Sequence, residues 1–130
     1  MKRAFLTAAF GLVACALCDC GRSTAPPLAG GREVAWWVNA VHAPDPQLRR
    51  QAVLKLGNVG DADPAAAPAL AEALLDTDAQ VRRDAVFAVV KLKTPGEQIV
   101  SRLGDMGRAD VEPDNRTLAT RALQKIQSPH

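Results

Sequence analysis

Three cysteines near the N-terminus, Cys15, Cys18 and Cys20, are the residues of this chain best placed for covalent or metal chemistry. Their C-x-x-C-x-C spacing offers thiolates to a metal, but a tetrahedral site needs a fourth ligand and a packed second shell. No His or further Cys lies near them. The two histidines are His42 and His130, and neither can be joined by spacing to a Ser-His-Asp or Cys-His arrangement. His42 and Asp45 suit a surface contact within one turn. The pairs Arg49-Arg50 and Arg82-Arg83 could grip a phosphate, yet each is better read as one structural arginine with a solvated neighbour. The carboxylates fall at turns and helix starts, where helix dipoles account for them. No catalytic residue, metal site or cofactor motif is assigned. The covalent chemistry expected of this chain is confined to a thiol.

The segment around that thiol reads as an address. Met1-Lys2-Arg3 is a basic start, and residues 4–14 are mostly apolar, the n-region and h-region of a secretory signal. The apolar run is too short to span a bilayer. Leu12-Val13-Ala14-Cys15 resembles the bacterial lipobox, in which the Cys becomes the acylated N-terminus of the mature chain. That resemblance implies a signal peptide over 1–14 and several acyl chains on Cys15, enough for a stable anchor. It implies a cell-envelope location, with Ala16 rather than Asp after the Cys favouring an outer membrane and the periplasmic side. Ala14-x-Ala16 also suits an ordinary signal peptidase, which would release a soluble periplasmic binding or enzyme-accessory subunit. Residues 15–31, with Pro26-Pro27 and Gly30-Gly31, read as a tether, and residues 32–128 as the folded domain.

Composition bounds what that domain is. The chain has 130 residues, is 48% hydrophobic and only 4% aromatic, so alanine supplies much of its apolar content. Sixteen basic against fourteen acidic residues give +2. Lys2 and Arg3 account for the whole excess, so the domain is balanced, against the strong basic excess of an electrostatic nucleic-acid binder.

The elements repeat. Asp45-Pro-Gln-Leu48-Arg49-Arg50-Gln-Ala52-Val53-Leu54 returns as Asp78-Ala-Gln-Val81-Arg82-Arg83-Asp-Ala85-Val86-Phe87, 33 residues later, with six of ten positions identical. Trp37-Val38-Asn39-Ala40-Val41 and Leu70-Ala71-Glu72-Ala73-Leu74 keep the same interval. A third copy is aligned at Leu118-Ala119-Thr120-Arg121-Ala122-Leu123, 37 residues after the second, with Ala119 where arginine is expected. Leu48, Ala52, Val53 and Leu56 fall on one face of a 3.6-residue period, as do Val81, Ala85, Val86 and Val89. Asp45-Pro46 and Asp63-Pro64 look like N-caps before an N1 proline. Thr94-Pro95-Gly96-Glu97 looks like a capping box, and Gly57 and Gly60 mark a helix end. Six helices are predicted, at about 33–43, 46–58, 65–75, 79–92, 96–106 and 114–127. Pro68 requires the third to start late or to bend.

Asp78-Ala79-Gln80-Val81-Arg82-Arg83-Asp84-Ala85-Val86, with Asp45 to Val53 beside it, resembles bacterial HEAT-like repeats of the lyase-associated type. The resemblance covers about residues 33–127. It implies an all-α fold, an αα-solenoid of about three helical hairpins. It implies that Asp45 and Asp78 cap the first helix of their repeats and that Arg49 and Arg82 hydrogen-bond across repeats. Some HEAT-like proteins are bilin lyases and others DNA-repair glycosylases. This chain lacks the charge and aromatic content of the second, and its export signal sits badly with the first.

A non-catalytic binding surface is the expectation that remains. In a HEAT arrangement the second helix of each pair lines the concave side. There Asn39, Glu72, Ser101, Arg102 and Asp105 fall off the apolar stripe, a mixed-sign strip suited to a protein partner. Trp37 belongs to the core, whereas Trp36 lies at the flank of the first helix. There it either covers the open end of the stack or anchors a partner. About three repeats is near the minimum for a free-standing solenoid. Self-association is therefore a further expectation beside an unidentified protein partner.

Overall fold

Pro46 and Pro113 each occupy the first turn of a helix, where the missing N–H costs nothing and the fixed φ helps. The computed structural model describes residues 28–29 and 31–128. Cys15, Cys18, Cys20 and His130 lie outside these, as do the signal and most of the tether expected before residue 32. The end of that segment is paired: β1 (Leu28–Ala29) runs antiparallel to β2 (Arg32–Glu33), with Gly31 at φ 81° in the turn between them. Six helices follow, α1 (Val34–Ala40), α2 (Pro46–Val59), α3 (Ala66–Ala73), α4 (Ala79–Val89), α5 (Glu97–Ala109) and α6 (Pro113–Gln127). Among the described residues no helix is long and apolar enough to cross a membrane.

The helices form two layers. α2, α4 and α6 pack side by side in one, α1, α3 and α5 in the other, and α1 with α2, α3 with α4 and α5 with α6 pack as hairpins: an all-α solenoid. The core runs between the layers. Leu56, Leu70, Leu74, Ile99 and Leu103 are its largest fully buried side chains, and Trp37 closes it at one end. Ala52, Ala85 and Ala119 recur at one register position and have no exposure. Small residues at that position let neighbouring backbones approach, which explains the alanine-rich composition.

Several local expectations are corrected. α3 starts at Ala66 rather than at Pro64. Asp63 accepts from Ala65 N at 2.8 Å and so shapes a turn, while the N-cap Ala65 makes no side-chain cap bond. Pro68 then falls within the first helical turn, where its missing N–H has no partner to lose. The capping box at Thr94–Glu97 does not form. Gly96 is the N-cap, and Thr94 Oγ1 bonds Asp61 Oδ1 at 3.3 Å, in the loop after α2. Asp61 also accepts from Lys93 N at 2.7 Å, and that bond holds its carboxyl below the ordinary range. Gly60 ends α2 with φ 55°, but Gly57 lies inside it.

The third copy is misaligned in the sequence reading. Arg49 and Arg82 each donate Nη1 to the carbonyl six residues before them, Ala43 and Asp76. Arg116 does the same to Asp110 O. The third copy therefore lies 34 residues after the second (82 to 116), and its arginine is present at Arg116. Asn115 in place of Val81 and Thr120 in place of Val86 had broken the apolar stripe that the alignment followed.

Candidate functional site

The same arginine–aspartate ion pair recurs at both inter-repeat junctions. Asp45 Oδ1 accepts from Gln47 N, and Asp78 Oδ1 from Gln80 N and Val81 N, so both carboxylates start the helices that carry the arginines. Arg49 then donates Nε and Nη2 to the two oxygens of Asp76 at 2.8 and 2.9 Å. Arg82 makes the same two-pronged contact with Asp110. Both arginines are pushed up from their ordinary value, chiefly by the hydrogen bond to the carboxylate. Asp110, with its side chain only 3% exposed, is held below the usual carboxylate range, first by the Arg82 hydrogen bond. Asp76 and Asp110 also accept from the N–H of Asp78 and Glu112, so one side chain serves two repeats.

These acceptors escaped the sequence reading, which saw Arg49 and Arg82 but assigned the carboxylates to dipoles alone. The signal that could have found them is Asp-x-Asp/Glu-x-x-x-Arg, at Asp76-x-Asp78 to Arg82 and Asp110-x-Glu112 to Arg116. The second arginine of the first pair is not simply solvated either. Arg50 Nε lies 2.7 Å from Asp84 Oδ2, tying α2 to α4, while Arg83 sits over the Phe87 ring at 6.0 Å.

Above each pair a cleft opens between repeats. The first, of about 320 Å³, is lined by Val41, His42, Arg49, Glu72, Leu75 and Asp76 among others. The second, of about 340 Å³, occupies the same place one repeat on, with Leu74, Leu75, Arg102, Asp105, Met106 and Val111 in its walls. Leu75 and Val111 are 62% and 79% exposed, so the second cleft has apolar rims. Arg102 Nη1 is buried in the structure without a hydrogen-bond acceptor. A partner that brings a carbonyl or carboxylate there would satisfy it.

Asn39, Glu72 and Asp105 share one register position on α1, α3 and α5, and all three are exposed. Glu72 lines the first cleft, and Arg102 with Asp105 the second; Asn39 and Trp36 line neither. His42 does not contact Asp45. Its Nε2 lies 3.1 Å from Glu72 Oε2, joining α3 to the turn after α1. Asp105 is paired with Arg108. Trp36 is 37% exposed, stands edge-on to Trp37 with ring centroids 4.7 Å apart, and carries the Arg32 guanidinium 4.2 Å above its ring. One face of this indole is thus occupied by the hairpin's own cation.

Among the described residues no three His, Cys, Asp or Glu side chains gather as a metal site. A family model described as HEAT repeats matches residues 34–129. A comparison with curated proteins returned no match.

Proposed function

Because the chain belongs to the HEAT-repeat family, whose members are in general non-catalytic scaffolds for protein–protein contact, we propose that it is a membrane-anchored interaction module of a bacterial envelope assembly. Acylated Cys15 is the anchor, residues 1–14 are removed as the signal, and the segment from residue 15 towards the hairpin holds the domain off the lipid. The docking surface is the α1/α3/α5 side, with Glu72, Arg102 and Asp105 at the clefts and Trp36 and Asn39 at its N-terminal end. The observation that carries this reading is the paired clefts, repeated at the interval of the sequence repeat and open along one side of the stack. Their mixed charge and apolar rims fit a folded protein or a peptide better than a polyanion.

Cys15→Ser is expected to move the full chain from the membrane fraction to the soluble fraction of the cell. Retention on the membrane would sink the anchor. Photo-crosslinkers placed at Asn39, Glu72 and Arg102 are expected to trap one envelope protein, and a crosslinker at Leu54 on the opposite layer is not. Glu72→Arg should weaken that capture about tenfold, the size of a lost interface contact with a like charge put in its place. Equal capture from both layers would remove the clefts from the interface.

A further inference from the structure

Where one repeat meets the next, the α2/α4/α6 layer presents apolar side chains. Val53 on α2 and Val86 on α4 are fully buried at one register position. On α6 that position holds Thr120, and it is exposed. Around it Gly107, Arg116, Thr117, Arg121 and Gln124 complete a cleft of about 410 Å³ whose lining contains two arginines and no carboxylate.

Arg116 is set there as Arg49 and Arg82 are set inside the stack. Its Nη1 donates to Asp110 O at 2.6 Å, which fixes the guanidinium against its own turn. In Arg49 and Arg82 the remaining edge, Nε with Nη2, grips the aspartate of the following repeat. In Arg116 that edge makes no hydrogen bond or ion pair among the described residues, and its charge acts only at longer range on Asp110. Thr117 and Thr120 turn their hydroxyls back onto the carbonyls of Pro113 and Arg116, leaving the arginines as the cleft's donors of charge.

We propose that the α6 end of the stack docks an acidic turn of a different protein, of the Asp-x-Asp or Asp-x-Glu kind that opens a helix. Its first carboxylate takes the free edge of Arg116, and Arg121 stands beside it. The template is internal: Asp76 meets Arg49 while accepting from Asp78 N–H, and Asp110 meets Arg82 while accepting from Glu112 N–H. A carboxylate is preferred to a phosphate because both filled copies of this fork hold carboxylates. Among the described residues, the opposite end of a second copy's stack does not supply one. There the position of Asp76 and Asp110 is Ala43, and Arg32 over Trp36 would face Arg116 and Arg121. This surface lies on the face of α6 turned away from α4, apart from the α1/α3/α5 clefts, and does not depend on them.

The test is a titration of the ¹⁵N-labelled full chain, followed through the arginine Nε–H signals. The probe is a synthetic peptide of residues 74–86, which carries Asp76-x-Asp78. The peptide should shift the signals of Arg116 and Arg121 and leave those of Arg49 and Arg82 in place. Replacing both of its aspartates by asparagine should weaken binding about tenfold, the loss of a charge-assisted two-pronged contact. Arg116→Gln should abolish the shift, and Arg116→Lys, with charge but no fork, should fall between. Arg121→Gln, on an exposed residue, reads the same face should Arg116→Gln disturb the fold. Absence of any shift, binding indifferent to Arg116→Gln, or equal binding of inorganic phosphate would overturn the proposal. So would dimers that dissociate on Arg116→Gln, since the occupant would then be a second copy. Loss of crosslinking from the clefts with this titration intact would fail the other surface alone.

Discussion

Asp110→Ala is expected to lower the unfolding free energy by about 3 kcal/mol, at the lower edge of what removing one partner of a buried ion pair costs. Three donors lose their acceptor together: Nε and Nη2 of Arg82 and the N–H of Glu112. The Arg82 side chain is only 11% exposed and cannot fully recover that loss from water. Urea unfolding of the full chain measures the cost. Arg82→Ala should be nearly as damaging, since it strands a carboxylate, and the double variant should cost clearly less than the sum of the singles. Additive losses would show that the two groups do not act as a pair. Asp110→Asn should fall between, keeping an oxygen for Glu112 N–H but not the charge.

The same pair sets an acid limit. Folding holds the Asp110 carboxyl below its ordinary value, so the unfolded chain takes up a proton there before the folded one does. The stabilisation is therefore complete above the ordinary carboxylate range, near pH 4, and is lost as pH falls through the folded value. Stability of the wild type should decline on acidification below about pH 4, and Asp110→Asn should remove part of that decline.

Gly57 is the second sensitive point. A Cβ built there would lie 2.8 Å from Ala88 Cβ and 3.1 Å from its Cα, a contact with backbone that cannot swing away. Alanine in mid-helix ordinarily gains up to about 1 kcal/mol over glycine. Gly57→Ala should instead cost about 1–2 kcal/mol, and Gly57→Leu about 3 kcal/mol, the upper end of ordinary overpacking. The discriminating result is rescue: Gly57→Ala with Ala88→Gly should recover most of the loss in thermal unfolding. A single Gly57→Ala variant that melts higher than wild type would show that the α2–α4 contact has room to spare.

The architecture was legible because its signals are local. An apolar face at helical spacing, Asp45 with Pro46 at a helix start and a 33-residue interval each point to stacked hairpins. The junction was half legible. Arg49 and Arg82 stand inside the repeated string, but their acceptors lie 27 and 28 residues further on, in turns where an aspartate is ordinary. Only folding brings Asp76 and Asp110 to them. The third repeat was obscured because Thr120, exposed among the described residues, stands where Val86 is buried and breaks the apolar stripe. Gly57 was taken for a stop because glycine often ends helices, whereas here a helix crossing requires it. The clefts had no local signal at all, since each wall comes from two repeats. Of their residues, Glu72, Arg102 and Asp105 were found by helical position and His42 was given a different neighbour. Cys15 remains an expectation carried by the sequence pattern alone.

Asp76 and Asp110 each hold an arginine of the repeat before them while shaping the first turn of the repeat after. Such a shared side chain makes independent opening of one hairpin costly, because release of α5 and α6 also strips Arg82 of its partner. Native-state hydrogen exchange would then find the slow amides of α2, α4 and α6 opening with closely similar free energies, as one cooperative unit rather than three modules. For so short a stack, whose hairpins bury much alanine, that linkage turns three marginal pieces into a single folding transition.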